Sequence, residues 1–176
     1  AIEERAAGAK QGVVIGGGLL GLEAAWGLAR KGIEVTVVHR NAWLMNRQLD
    51  RTAAGLLEDA LAEHGIRVRL ACEALAFNAG AAGEVSSVTL SDGATLPAGI
   101  AVIATGITPN AELGLEAGLR GGRAIHVDDH LRTSDAAISA LGECVEHEGR
   151  TFGLVEPIWE QCAVLAARLA GEQGAP

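Results

Sequence analysis

The sequence contains no tyrosine, and only 3% of its residues are aromatic. The missing tyrosine excludes dehydrogenases that rely on a Tyr-x-x-x-Lys general acid. Cysteine is scarce: Cys72, Cys144 and Cys162 are isolated, odd in number and without a CxxC spacing. That pattern fits a reduced, cytoplasmic setting better than a disulfide framework. The five histidines, at 39, 64, 126, 130 and 147, are read as forming no ligand set, so no metal is expected. Positive charge is in deficit, with 14 Lys and Arg against 22 Asp and Glu for a net charge of −8. Nucleic acids and anionic membranes favour concentrated Lys and Arg, so neither is expected as a partner. No apolar run approaches the roughly 18 residues of a spanning helix. No charged-then-apolar leader opens the chain, so no secretory signal is expected. The chain starts on Ala1 and its only methionine is Met45, which leads us to expect a piece of a longer molecule.

The 176 residues are 49% hydrophobic, enough for one or two small domains with a true core. The most informative stretch is the apolar run Gly12-Val13-Val14-Ile15 followed by Gly16-Gly17-Gly18-Leu19-Leu20-Gly21. A buried strand, Gly-x-Gly-x-x-Gly and then a helix form the architecture that cradles a dinucleotide pyrophosphate. Gly16 allows the tight turn, Gly18 lets the backbone approach the phosphates, and Gly21 lets the helix pack close to the strand. The helix N-terminus adds free N–H groups and partial positive charge. Gly32 stops the helix after Arg30-Lys31, and Ile33 to Val38 reads as the next parallel strand. The βαβ unit closes within about 30 residues, as the fingerprint requires.

Residues 1–10 read as a lead-in, with Ala6 to Lys10 as a linker. Strand 12–16, helix 19–31 and strand 33–38 follow, then a loop from Asn41 to Asp50. Asp50 is expected to cap a helix to about His64, with Leu56, Leu57, Ala60 and Leu61 on one face and Gly65 as its stop. Strand 66–70 precedes an antiparallel meander of strands 75–77, 85–90 and 94–96, and 99–104 is a further buried strand. After about residue 117 the pattern predicts short strands at 125–127 and 138–141. A final helix is expected to open at Pro157 and run to about Ala170. The fold class expected is α/β, a Rossmann-like doubly wound parallel sheet carrying an antiparallel β-meander.

Four motifs stand in order: Gly16-x-Gly18-x-x-Gly21-x-Glu23, Ala104-Thr105-Gly106-Ile107-Thr108-Pro109-Asn110, Leu131-Arg132-Thr133-Ser134-Asp135 and Ala140-Leu141-Gly142-Glu143-Cys144. In that order they resemble the pyridine nucleotide–disulfide oxidoreductases, flavoproteins with two dinucleotide-binding domains. The resemblance runs from about Gln11 to the end. Met45 to Asp50, Gly142 to His147 and Gly153 to Gln161 are similar to the flavoprotein region of NAD(P)H-dependent assimilatory nitrite reductase large subunits and nitrate reductase electron-transfer subunits.

The resemblance implies an NAD(P)-binding domain over residues 1–117 and the C-terminal segment of a truncated FAD domain over 118–176. Gly16, Gly18 and Gly21, with Leu19 and Leu20 at the helix start, would hold the NAD(P)H pyrophosphate. Glu23 would lie near the nicotinamide carboxamide, and Gly106 would let the chain pass close to the nicotinamide half. At the end of the second strand a carboxylate selects the ribose 2′-OH and basic residues favour a 2′-phosphate. His39-Arg40 stands there, and the choice between NADH and NADPH stays open. Gly142 and Glu143 match the FAD-contacting segment, although the family more often carries Asp at the second position. The helix from Pro157 would point its N-terminus at the flavin, and Trp159 reads as a packing residue.

The family's redox-active cysteine pair would precede this region. Only one glycine fingerprint is present, so the ADP half of the flavin site is expected in an absent N-terminal part, and weak or no FAD binding is expected here. Hydride would pass from nicotinamide C4 to flavin N5, and electrons onward to a downstream acceptor domain or subunit, with no general acid or base in the chain. A ferredoxin- or rubredoxin-reductase or NADH-oxidase type of flavoprotein, a freestanding NAD(P)-binding module and a small-substrate dehydrogenase remain as alternatives. Apolar surface left at the severed FAD segment would favour a homo-oligomer.

Overall fold

The computed structural model describes Glu4 and residues 6–172. The other lead-in residues (1–3 and 5) and the last four of the expected FAD segment lie outside the described residues. The chain divides into two compact units, residues 1–106 and 107–176.

In the first unit, β1 (Gln11–Ile15), α1 (Leu19–Ala29) and β2 (Glu34–Val38) form the expected βαβ unit. α2 (Arg51–Glu63) and β3 (Arg67–Arg69) follow. Asp50 caps α2, its side chain accepting the Ala53 N–H at 2.8 Å. Then come β4 (Ala74–Ala79), β5 (Val85–Leu90), β6 (Thr95–Pro97) and β7 (Ile100–Ile103). The main sheet has the order β3-β2-β1-β7, and all its pairs are parallel. Val13, Val14, Val35, Val37 and Val38 are buried along its two central strands. Such near-continuous β-branched runs are what a strand covered on both faces requires. One side of this core takes in Ala25, Leu28 and Leu61 from the helices. The other joins Val13 and Val38 to Val88 and Leu90 of the antiparallel meander β4-β5-β6.

The second unit contains α3 (Glu112–Glu116), β8 (Ile125–His126), β9 (Val145–His147), β10 (Arg150–Thr151) and α4 (Val155–Leu169). β8 and β9 are parallel, and β10 returns antiparallel to β9. Its core joins Val127, Leu131 and Val145 to Val164 and Leu165 of α4.

Here the sequence reading departs from the structure. The strand expected at 138–141 is a single bridge between Arg132 and Ser139. Thr133 Oγ1 donates toward the carbonyls of Asp135 and Ile138 and accepts the Asp135 N–H, folding residues 133–138 into a turn just ahead of that bridge. β9, β10 and the short α3 were not anticipated. The β9–β10 hairpin turns on Glu148 (φ +47°) and Gly149 (φ +75°), the paired positive φ of a tight primed turn. α4 begins two residues before Pro157, which the first helical turn tolerates because its N–H groups have no intrahelical acceptor.

Candidate functional site

Strand register builds the first site. Ile15 pairs with Val38 on one side and Ile103 on the other, so Gly16, His39 and Ala104 leave the sheet side by side. The Gly16 N–H donates to the Val38 carbonyl at 2.8 Å, and the Ala104 N–H to the Ile15 carbonyl at 2.7 Å. From β1 the chain crosses to β2 in one direction, while β7 lies on the other flank. This is the topological switch point of a parallel sheet, where a crevice opens at the carboxyl ends of the strands. The first glycine motif and the Ala104-Thr105-Gly106 motif therefore meet, although they stand far apart in sequence.

Each fingerprint glycine answers a different steric demand. Gly16 has φ +116°, and a Cβ there would stand 2.2 Å from the Ala104 carbonyl oxygen. At Gly21 a Cβ would stand 1.9 Å from the Gly16 carbonyl oxygen, so α1 could not approach the loop. Gly18 is the opposite case: a Cβ there meets nothing within 4 Å. Its lack of a side chain serves no internal packing and leaves open the space a ligand would enter. Gly18 is also the N-cap of α1 and provides no side-chain cap, so the helix N-terminus is available to an anion. An uncapped helix N-terminus beside open space is what a dinucleotide pyrophosphate would require, and the residues present fit such a group.

Around that cradle Leu19, Leu20 and Glu23 are exposed on α1, Gly106 is exposed after β7, and Arg40 is exposed after β2. His39 is buried and faces inward. Its Nδ1 accepts the Gly17 N–H at 3.0 Å, and its Nε2 lies 3.3 Å from Asn46 Oδ1. Gly17, Ala104 and Asn46 lie within the motifs quoted above, but the sequence alone assigns none of them a part in the site. Gly17 is the middle of three consecutive glycines and stands outside the Gly-x-Gly-x-x-Gly positions, which was the available signal for it.

Gly142 and Glu143 belong to the second unit. The buried Gly142 N–H donates to Gln161 Oε1 at 2.7 Å, so α4 holds this turn directly. Gln161 Nε2 is buried without a hydrogen-bond partner among the described residues. Gln161 too was missed, since a glutamine on a helix carries no distinctive spacing. Glu143 is exposed, and the N-cap of α4, Leu154, provides no side-chain cap. Trp159, expected to pack, is 66% exposed, and Leu154 and Val155 beside it are exposed as well. An open turn with a free carboxylate, an uncapped helix end and an orphaned donor fit part of a large polar cofactor.

The family model for pyridine nucleotide-disulphide oxidoreductases matches residues 2–171. The chain belongs to that family. Its members are FAD- and NAD(P)H-dependent oxidoreductases, and the solved structures this chain resembles have the two-dinucleotide-binding flavoprotein fold, of which it matches a part. Among curated relatives, the assimilatory nitrate reductase electron transfer subunit of Bacillus subtilis (strain 168) is 41% identical over 92% of this chain and 21% of its own length. The NAD(P)H nitrite reductase of the same organism is 42% identical over 95% of this chain and 20% of its own. A ferredoxin reductase from Rhodopseudomonas palustris superposes with a TM-score of 0.91 at 36% identity, over 98% of this chain and 44% of that one. The chain thus spans about a fifth of the length of these two curated relatives.

The remaining candidates are quieter. Cys72 is buried, and Cys144 and Cys162 are half-buried, all as free thiols. His126 and His130 stand four apart in sequence, but β8 is extended there, so no helical face brings them together. His126 Nε2 lies 3.4 Å from Glu146 Oε1, and His147 Nε2 lies 2.7 Å from Asp129 Oδ1. Among the described residues no group of His, Cys, Asp or Glu is arranged to hold a metal ion, and no helix is long and apolar enough to cross a membrane.

Proposed function

We propose that this chain is the NAD(P)H-receiving part of a flavoprotein that draws electrons from the nicotinamide nucleotide and passes them to an acceptor domain or subunit, in nitrite or nitrate assimilation. The observation that carries this reading is the uncapped α1 N-terminus at Gly18, open on its ligand side, beside the locked contact of Gly16 with Ala104. The nicotinamide nucleotide, when bound, supplies a hydride, and the flavin supplies its acceptor.

The chain's own groups position and charge the site. The α1 N-terminus and the loop amides stabilise the pyrophosphate, by about 0.3–1 kcal/mol from the helix dipole and more where water is excluded. Leu19 and Leu20 shield it, Glu23 addresses the carboxamide, and Gly106 leaves room for the nicotinamide half. Arg40 offers a cation at the adenosine ribose where no carboxylate stands, so NADPH is accepted as well as NADH. We assign residues 1–117 to the NAD(P)H domain and 118–176 to the returning segment of an FAD domain. That functional boundary falls inside the second compact unit. Glu143 and Gly142, backed by Gln161, and the N-terminus of α4 would hold the flavin once the rest of its site is supplied. The remainder of a longer cytoplasmic protein supplies that part, covering the apolar Leu154, Val155 and Trp159; self-association would cover them otherwise.

Amide-resolved NMR titration of the full chain with NADH and then NADPH tests the reading. Saturable shifts are expected at Gly16 to Gly21, with Arg40 responding more strongly to NADPH. Absence of shifts at the glycine loop with both nucleotides overturns it.

A further inference from the structure

The pyrophosphate loop is pinned from behind by residues that the fingerprint does not include. The peptide N–H of Gly17 is given to His39 Nδ1 at 3.0 Å, and the peptide carbonyl of Gly17 accepts the Met45 N–H at 2.9 Å. Both groups of one residue are therefore fixed, one by the end of β2 and one by the loop that follows it. The carbonyl of Gly17 and the N–H of Gly18 belong to the same planar trans peptide and point in opposite directions. Tying that carbonyl to Met45 aims the Gly18 N–H away from the 41–49 loop. Leu44, fully buried, stands with Cδ2 2.5 Å from where a Gly17 Cβ would be, and His39 Cγ stands 2.9 Å from it, so a side chain at position 17 would push against Leu44 and the imidazole together.

His39 is held in turn. Because Nδ1 accepts from a backbone N–H, the ring is in the neutral form that carries its proton on Nε2. Nε2 then donates to Asn46 Oδ1 at 3.3 Å, and the same oxygen accepts from Asn41 Nδ2 at 3.0 Å. Met45 takes the left-handed conformation (φ +50°), which brings its N–H round to Gly17. The buried imidazole is thus committed on both nitrogens before any cofactor arrives.

We propose that His39, with Asn46 and the Met45 backbone, is a positioning device that presets the phosphate-binding loop, and that His39 does not contact the cofactor's ribose. This rests on the reading of the glycine loop as the NAD(P)H site and adds the residue that shapes it. It gives the Asn41 to Leu49 loop a role and leaves recognition at the ribose 2′ position to Arg40. A loop held in its binding geometry in advance loses less freedom on binding, so its support shows as affinity.

The test compares His39→Leu with His39→Asn, whose side-chain oxygen can still accept near the Nδ1 position. Kd values for NADH and NADPH are measured on the full chain by calorimetric titration. Removing the acceptor in His39→Leu is expected to weaken both nucleotides by the same factor, about tenfold for one lost hydrogen bond. His39→Asn should recover most of that loss. A loss that differs between NADH and NADPH overturns the proposal, because a ribose contact would feel the 2′ group and a loop support would not. So does unchanged affinity in folded His39→Leu. If that variant does not fold, the unsubstituted chain decides: ring ¹⁵N shifts should show Nδ1 unprotonated and Nε2 protonated, with the Gly17 amide slow to exchange. A proton on Nδ1 or a fast-exchanging Gly17 amide overturns the proposal. If the unsubstituted chain binds neither nucleotide, the functional reading fails, and the loop support is judged on those two NMR observations alone.

Discussion

The glycine loop of the first unit and the Gly142–Glu143 turn of the second are both read as cofactor-facing segments, yet they are built to different degrees of completion. Around Gly16 to Gly21 each internal demand is met within the unit: Gly16 against Ala104, Gly21 against the Gly16 carbonyl, Gly17 against Leu44 and His39. The open space is confined to Gly18, where a ligand belongs. Around Gly142 the N–H is held by Gln161 and the carbonyl accepts the Val145 N–H at 3.4 Å, but Gln161 Nε2 is buried with no partner among the described residues, and the adjoining start of α4 exposes Leu154, Val155 and Trp159. A segment whose polar groups are satisfied by its own unit is expected to hold its shape alone. One that leaves a buried donor unpaired depends on what completes it.

The largest break in this comparison is expected from Gly21→Ala. A methyl 1.9 Å from the Gly16 carbonyl forces α1 off the loop, with roughly 1–3 kcal/mol of overpacking cost and nucleotide binding lost beyond detection. Thermal denaturation and calorimetric titration would record both. Gly18→Ala sharpens the same point by separating the two readouts. Its methyl meets nothing, so the melting temperature should stay at the parent value while nucleotide affinity falls about tenfold or more. If stability falls with affinity there, the open space at Gly18 is not a cradle.

Gln161→Leu probes the other side. It leaves the buried Gly142 N–H without an acceptor, which costs about 1–3 kcal/mol, and should lower the denaturation midpoint while leaving NADH affinity unchanged. A parallel fall in affinity would show that the two segments are not independent. The smallest effect is at Asp128. Desolvation pushes its carboxyl upward, but the N–H groups of Arg132 and His130, with the Arg132 charge, outweigh that and lower its pKa. A lowered folded value means stability that is present above the ordinary carboxylate range, near pH 4, and is lost as pH falls through the folded value. Melting temperatures from pH 5 to 2 should fall less steeply in Asp128→Asn than in the parent.

How much could be read in advance differs between the two regions for the same physical reason. The first unit follows local rules: β-branched runs for β1 and β2, Asp50 as a cap, Gly65 as a stop, and glycines at the positions where a Cβ collides. The inward turn of His39 was not legible, because it depends on where Met45 and Asn46 fold back. A side chain's partner across a loop leaves no periodicity. In the second unit the strands are two or three residues long, too short for alternation to declare itself. There the stretch at 138–141 looked more like a strand than Val145 to His147 did. The Thr133 and Asp135 side chains fold the residues just before the former into a turn, leaving it one bridge, whereas Glu148-Gly149 folds the latter into a hairpin.

The most direct measurement is equilibrium titration of the full chain with NADH, NADPH and FAD under the same conditions. A nicotinamide nucleotide should bind saturably at one site per chain, with FAD showing weak binding or none. A yellow protein that retains stoichiometric FAD, or one that binds neither nicotinamide nucleotide, contradicts the division between a complete NAD(P)H loop and a partial flavin segment.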